Sequence, residues 1–537
     1  MTTDLVADAE RFLMGSDGWR NGSQLYAITH FPELWRFVRQ TPGLNALMNS
    51  LIIDQMVYKM KTRPEALSTM APYTSWDSLT DRTYSERHLP PDPALQTRLP
   101  ATADVVELFR ARPSGHTLSP KSTLLFPHFA QWFVDGFLRT DPQNPLRNTS
   151  THDIDLSQLY GQHQDVTDLL RTRRGGELKS QLIREQEFPP YYMGQDGRPK
   201  PEFAGLPITF PGSDRKAVST SDLDPVQRQS LFALGIARGN IHYGFVMMST
   251  VWLREHNRLA RQLAATHPAW DDERIFQTVR NVLIVLLLKI VVQDYINHIT
   301  PFWFKLFVRP GIGVREKWYR QNWMSIEFDL LYRWHSLVPP EITVGGVRRP
   351  TADVRWHSEI VPDHGVAALF DEASRQPAGE IGLLNTADFL LPVEEKTINI
   401  GRSAQLAAFN DYRAACGYPR YTTFGEFSTR PDIVGALAGA YHTADDVELY
   451  TGLFAEDVRS NAALPTLMGT MVAVDAFSQA LTNPLLAPGV YTEDTFSPEG
   501  MRAIAGTNTL ADLVARNVTG EPTAPRVSFT QLNWAPQ

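Results

Sequence analysis

Tyr332 and His335 stand three positions apart in the run Ile326-Glu327-Phe328-Asp329-Leu330-Leu331-Tyr332-Arg333-Trp334-His335-Ser336-Leu337-Val338-Pro339-Pro340. An imidazole on an apolar face can ligate a metal, and a tyrosine close by can be its redox partner. The run predicts a helix that stops before the Pro-Pro pair, because the residue ahead of a proline is steered out of the α region. Residues three apart then share a helix face. Phe328 and Leu331 lie near that face and make its surroundings apolar. Taken alone the pattern is weak, since a helical histidine among apolar residues is more often a satisfied core or surface residue. The rest of the chain decides its meaning.

The chain has 537 residues, enough for three or four domain-lengths or for one large enzyme domain with a small appendage. A core of that size stands without staples. The single cysteine, Cys416, excludes an intramolecular disulfide, a Cys-rich zinc site and an iron–sulfur cluster, and reads as a core thiol. A net charge of −8 with mixed signs gives no basic footprint, so no nucleic-acid partner is expected. Met1 to Val6 is polar and acidic, unlike a signal peptide, and the most apolar segment, 281–292, is too short to span a bilayer and is interrupted by Lys289. The expected location is cytoplasmic, with peripheral membrane contact left open.

The elements that must position these residues are mostly helices. Apolar residues at helical spacing from Phe31 to Met60 predict a helical pair, read either as core helices or as a patch lying on a bilayer surface with Lys59, Lys61 and Arg63 at its rim. Residues 64–120 read as irregular, and 124–140 as a helix. The polar stretch to Pro225 reads as short hairpins and turns. Helices are expected over 225–268 and, capped by Asp271 or Asp272, on to about Ile299. A β/turn region follows at 342–350. Further helices are expected at 366–375, 401–415, 430–440, 461–482 and 492–518. The fold class is therefore mainly α, a large helical domain over 71–537 with few short strands and a small N-terminal helical appendage over 1–70.

Four stretches carry a resemblance. They are Phe129-Ala130-Gln131-Trp132-Phe133-Val134-Asp135-Gly136-Phe137, Thr151 to Gly161, Trp252-Leu253-Arg254-Glu255-His256-Asn257-Arg258 with Phe276-Gln277-Thr278, and the Tyr332/His335 run. In this order they resemble the cyclooxygenase and fatty-acid α-dioxygenase branch of the animal-type haem peroxidase superfamily, from about Phe31 to Phe529. The stretches 409–413 and 446–453 also look like that family. The resemblance implies a haem b cofactor with His335 as the proximal iron ligand, and Tyr332 as the residue that becomes a tyrosyl radical. The cofactor then supplies the hard chemistry while the protein fixes geometry and excludes water. The implied activity is a fatty-acid dioxygenase (an oxidoreductase of lipid metabolism) acting on a fatty acid and O2. The alternatives are a peroxide-driven peroxidase or peroxygenase, or a haem- or lipid-binding protein that has lost the chemistry. A homo-oligomer is compatible with either.

The resemblance also places Ile296, Ile299, Thr300, Phe328, Leu331 and Trp334 along an acyl channel. It makes Arg63 the candidate clamp for a fatty-acid carboxylate, a role suited to its planar fork, though a solvated surface arginine reads as well. Phe302 replaces the tyrosine that normally helps this arginine. Ser478 corresponds to the serine that aspirin acetylates in cyclooxygenases. On the other side of the haem, Gln131 is present but the distal histidine is replaced by Asp135. Either the peroxidase half-reaction is crippled or the Asp135 carboxylate carries the proton instead; His128, seven residues back, is a third candidate. Thr151, Asp153, Asp155 and Ser157 alternate as calcium ligands do in the peroxidases and α-dioxygenases, with a capped turn as the alternative. The aspartate that should complete that set is Gly136 here, unless Asp135 slides across to serve it. Arg254, Glu255, His256 and Arg258 are read as scaffold, with ion pairs rather than ligation.

Overall fold

Two prolines open the first pair of helices, α1 (Pro32–Gln40) and α2 (Pro42–Val57). At the first helical turn a fixed φ and a missing N–H cost nothing. The computed structural model describes residues 26–60 and 83–536, apart from 86, 142, 209, 212–216, 317, 320–323 and 523. Trp35 of α1 packs edge-on against Phe304 at 5.8 Å, while Ile52, Ile53 and Val57 of α2 turn inward. Phe31, Leu34, Phe37, Leu47 and Leu51 remain exposed. Lys59, expected on a basic rim, instead lies over the Tyr418 ring at 5.4 Å, and burial pushes its ammonium down to about 8.

The proline-rich stretch read as irregular holds a helix, α3 (Thr102–Phe109), whose Val105, Val106, Leu108 and Phe109 are buried. Strand β1 (Leu118–Thr123) pairs antiparallel with the distant segment Pro377–Gly379 and leads into α4 (Leu125–Val134). That helix ends at Asp135, short of the expected Thr140. The backbone turns through Gly136, whose position presses against the Gln158 side chain, so a Cβ there would lie 2.2 Å from its Oε1. The polar stretch contains the expected hairpins, β2 (Gln181–Ile183) with β3 (Gln186–Phe188) and β4 (Phe210–Pro211) with β5 (Ala217–Val218).

The expected helix over 225–268 is divided: Pro225–Gln229 is separate, and α5 (Tyr243–Thr266) begins on His242, whose ring accepts the Phe245 N–H. Next comes α6 (Asp272–Ile290), capped by Asp271 at the Arg274 N–H, with acids in its first turn and Lys289 in its last, as the helix dipole favours. It continues as a π-helical turn over Val291–Ile296. The stretch Asp272–Ile299 is the one described segment long and apolar enough to cross a membrane, and with 78% of its most apolar window buried it serves as core. The scaffold motif behaves as read. The buried pair Arg254–Glu521 closes at 2.8 Å, and Glu255, fully buried, meets both Arg258 and Arg516. Removing one partner of a buried pair costs about 3–5 kcal/mol, because the other charge is left uncompensated. His256 is held between the Tyr160 hydroxyl and the Gly176 carbonyl, each at 2.8 Å.

The run that holds Tyr332 and His335 departs from expectation. Helix α7 covers only Ile326–Leu331, and a separate 3₁₀ turn covers His335–Leu337. Tyr332 and His335 therefore do not share a helix face. At the break the Arg333 carbonyl accepts the His335 N–H at 3.0 Å in a tight turn, with the Tyr450 Oη 3.0 Å from the same carbonyl while its proton goes to Glu394 at 2.6 Å. The start of α7 is pinned by Ser325, which caps Phe328 N–H and donates to buried Asp475. The hairpin β6 (Glu341–Val344) with β7 (Val347–Pro350) lies where the β/turn region was expected, and α8 (Val366–Arg375) matches its predicted bounds. Then come β8 (Pro377–Gly379), α9 (Leu391–Ser403) and α10 (Phe409–Ala415), two helices where one was predicted. They are followed by α11 (Pro431–Ala440), α12 (Leu449–Ala455) and α13 (Thr466–Leu481). The last predicted helix is also two, α14 (Glu493–Ala505), kinked at Ser497, and α15 (Leu510–Asn517). The architecture is mainly α, with four two-stranded sheets among the described residues. Cys416 is a buried free thiol, pushed up to about 12 by burial, as a core thiol should be.

Candidate active site

His335 follows α7 through a tight turn at Trp334, where its N–H donates to the Arg333 carbonyl at 3.0 Å, and its ring faces Glu394 of α9. Its Nδ1 lies 3.1 Å from Glu394 Oε2, off the line of a well-directed hydrogen bond. Glu394, on α9, is fully buried and already accepts from Thr386 Oγ1 at 2.8 Å and the Tyr450 hydroxyl at 2.6 Å. No described protein group bonds His335 Nε2, and the side chain keeps 16% of its exposure. An imidazole with a carboxylate behind one nitrogen and the other nitrogen open is the arrangement metal-ligating histidines use: the carboxylate fixes the tautomer and raises ligand basicity. Neither Glu394 nor Tyr450 was singled out from sequence as part of a site.

Gln131 and Asp135 sit four apart, on α4 and at its C-terminal cap. Asp135 Oδ1 receives Arg238 Nη1 at 2.9 Å, while its Oδ2 is buried with no protein partner. Gln131 Oε1 lies 2.9 Å from His242 Nε2. His128, the third candidate for proton transfer, is turned away into the core: its ring packs against Gly244 and its Nε2 meets Tyr243 Oη at 3.1 Å. Arg238 and His242 were missed. His242 lies inside the helix expected over 225–268, so no cap was sought at the point where α5 begins.

Lys396 of α9 is held below the usual ammonium range by burial first and then by the charges of Arg238 and Arg333. Burial opposes the Arg333 guanidinium, but Asp329, with Tyr450 and Asp135 further off, holds its pKa above the usual range. The charges of Arg238 and Arg333 thus both bear on Lys396, while that of Asp135 bears on Arg333.

Tyr332 is buried among aromatic rings, Phe328 at 5.0 Å and Trp334 at 4.8 Å, and Trp334 stacks in turn on Phe126 at 5.6 Å. Its hydroxyl has no protein partner, and burial, reinforced by the charge of Asp475, pushes its ionisation far above the ordinary phenol range. It borders a narrow crevice of about 10 Å³, lined also by Phe133, Phe137, Val291, Phe328, Ala476 and Gln479. Of the residues assigned to an acyl channel, only Phe328 lines this crevice beside Tyr332. Ile296, Ile299, Phe302 and Leu331 are buried core, Trp334 belongs to the aromatic cluster, and the Thr300 hydroxyl is buried without a partner. Ser478 is buried within α13, its hydroxyl bonded back to Val474 O and Asp475 O. Arg63 lies outside the described residues.

In the candidate calcium loop, Asp155 binds its own loop. Its carboxylate accepts from Ser157 N–H at 2.9 Å and the Ser157 hydroxyl, with Thr151 Oγ1 at 3.5 Å. Burial raises the Asp155 carboxyl above its usual range. Asp135 does not slide to this loop, being tied to Arg238, and the Gln158 side chain fills the space beside Gly136. Among the described residues no group of three or more His, Cys, Asp or Glu is arranged to hold a metal ion.

The family model for animal haem peroxidases matches residues 135–529, and the chain belongs to that family. It is 29% identical over 524 residues to prostaglandin G/H synthase 2 of Equus caballus, covering 95% of this chain and 83% of that protein. It is 30% identical over 520 residues to prostaglandin G/H synthase 1 of Rattus norvegicus, covering 94% and 81%. Its fold is shared with a fatty acid α-dioxygenase of Oryza sativa solved with palmitic acid (TM-score 0.66, 14% identity, 90% of this chain and 88% of that one). The family implies haem, and the residues present fit it. His335 offers an open imidazole nitrogen with a carboxylate behind the other.

Proposed function

We propose that this protein is a haem-dependent fatty-acid oxygenase that works through a radical on Tyr332. The observation that carries the reading is the Tyr332 hydroxyl, buried, without a protein partner and bordering an apolar crevice, three residues from an imidazole that offers an open nitrogen with a buried carboxylate behind the other. Haem, when bound, supplies the one-electron oxidation of the phenol.

What the chain's own residues do follows from their surroundings. The raised ionisation of Tyr332 keeps the phenol protonated at rest, so oxidation removes a hydrogen atom overall. The phenoxyl oxygen then takes a hydrogen atom from an activated acyl methylene and regains its O–H bond. O2 adds to the carbon radical, and the resulting peroxyl radical takes the hydrogen back from Tyr332, giving a hydroperoxide and the tyrosyl radical again. The rings of Phe328, Trp334 and Phe133 exclude water, which protects the radical and leaves the acyl chain as its nearest donor. At about 10 Å³ the crevice holds little more than one water, far below a typical ligand pocket of roughly 300–1,000 Å³, so an acyl chain enters only as side chains such as Gln479 move aside. Palmitic acid in the rice α-dioxygenase structure and the prostaglandin synthase likeness support the acyl substrate class.

A second reading, a peroxide-driven peroxidase, is favoured by Asp135 Oδ2, a buried acceptor without a partner beside Arg238. Oxygen uptake by the haem-loaded protein with unsaturated and saturated fatty acids, compared with Tyr332→Phe, separates the two. Uptake lost in Tyr332→Phe while peroxidase turnover survives supports the radical oxygenase. Uptake that persists in the variant sinks it. We further propose that the exposed apolar face of α1 and α2 lies on a membrane surface, from which an acyl chain could be drawn.

A further inference from the structure

The start of α5 and the side chain of Gln131 form a hydrogen-bond chain whose polarity is fixed from one end. Phe245 N–H donates to His242 Nδ1 at 3.2 Å, so Nδ1 presents its lone pair and carries no proton. Burial, with the charge of Arg355 behind it, pushes this imidazole down to about 4, which keeps it neutral near pH 7. A neutral ring with a bare Nδ1 carries its one proton on Nε2. Nε2 lies 2.9 Å from the Gln131 side chain, so Nε2–H donates and the amide oxygen accepts. The opposite amide flip would set N–H against N–H. The ring cannot swing away, because His128 stacks on it at 5.1 Å and is itself held by Tyr243 Oη. Gly244 makes room for that stack, since a Cβ there would lie 2.5 Å from the His128 ring.

Once its oxygen is taken, Gln131 has only its NH2 group left, and no described protein group bonds it. We infer that His242 is a positioning residue that locks the Gln131 amide so that its NH2 faces, as an obligate donor, a ligand on the open side of the His335-bound haem. The adjoining acceptor is Asp135 Oδ2, one helical turn on and equally without a partner. The inference rests on the haem reading of His335 and adds a residue from a different element, separated by more than a hundred positions, to the ligand side of that site.

The test uses the haem-loaded protein with carbon monoxide bound to the ferrous form and fluoride bound to the ferric form. A hydrogen-bond donor facing bound carbon monoxide lowers its C–O stretching frequency. Gln131→Leu should raise that frequency and weaken fluoride binding about fivefold, the worth of one hydrogen bond. His242→Asn keeps the helix cap, since asparagine is a favoured N-cap residue, but removes the distant ring N–H that reaches Gln131. It should split or raise the C–O band by freeing the amide to flip, and the double variant should match Gln131→Leu alone. A wild-type band in His242→Asn, additive effects in the double variant, or no shift in Gln131→Leu would each overturn the inference; Gln131→Leu serves where His242→Asn fails to fold. A wild-type protein with no His335-dependent Soret band would remove the haem reading itself, a separable outcome.

Discussion

Glu394, with no exposed surface, holds a carboxylate oxygen 3.1 Å from His335 Nδ1, and two hydroxyls, from Thr386 and Tyr450, keep that carboxylate in place. A buried carboxylate behind a ligand imidazole strengthens the ligand and fixes its angle. His335→Ala should abolish the Soret band on haem loading. Glu394→Gln keeps the shape and loses the charge, so haem affinity should fall about 10–100-fold and the iron(III)/iron(II) potential should rise. Haem affinity and potential unchanged in Glu394→Gln would show that the carboxylate belongs to the Tyr450 network alone.

Asp135 presents one oxygen to Arg238 and leaves the other without a partner in a buried position. A carboxylate so placed can accept and return a proton. Asp135→Ala should lower guaiacol-type peroxidase turnover about 100-fold, the scale of general acid–base catalysis, while leaving haem binding through His335 intact. Turnover equal to wild type would exclude the carboxylate from proton transfer.

His242 and His256 are both buried and pushed down to about 4 from an ordinary value of 6.5, in each case chiefly by desolvation. Between about pH 6.5 and 4 the unfolded chain therefore binds protons that the folded chain refuses. Stability falls as pH is lowered through that window, by roughly 3 kcal/mol per histidine at its lower end, and neither group contributes a slope above it. Urea denaturation at pH 7 and pH 5 should show a smaller acid loss for His256→Gln than for the wild type. Equal losses would contradict the assignment.

Phe31, Leu34, Phe37, Leu47 and Leu51 form the exposed side of the N-terminal helix pair. Replacing Leu34 and Phe37 with serine should reduce sedimentation of the protein with phosphatidylcholine vesicles at least tenfold and leave its thermal unfolding temperature unchanged, because neither side chain is in the core. Equal sedimentation would mean that this face does not contact lipid.

Much of the site was legible because its reacting groups sit in short, distinctive runs: Gln131 and Asp135 four apart, Tyr332 and His335 three apart. What surrounds them was not, because it arrives from afar. Glu394 is fifty-nine positions beyond His335, and nothing local marks it. The early end of α7 escaped as well: a sequence read by periodicity continues the helix to the prolines, whereas the Arg333 carbonyl takes the His335 N–H in a tight turn packed against Tyr450. His242 escaped because a helix cap is not part of a periodic pattern. Ser478 matched by position, but its hydroxyl is spent within its own helix. Helices with a strong apolar stripe and clear breakers, such as α8, were bounded correctly. The helix expected over 401–415 corresponds to α10 and the last turn of α9, most of which was not foreseen, while α14 and α15 were read as one.

The strand pair β1–β8 ties the segment just before α4 to one beyond His335, and Glu394 lies further along still. During synthesis at roughly 5–20 residues per second, about 13–50 s separate the emergence of Asp135 from that of Glu394. Until then α4 has neither its partner strand nor the opposite half of its site. Its rings meet Trp252 and Tyr295 first, so the apolar backing of the site can assemble during synthesis ahead of the side that holds His335.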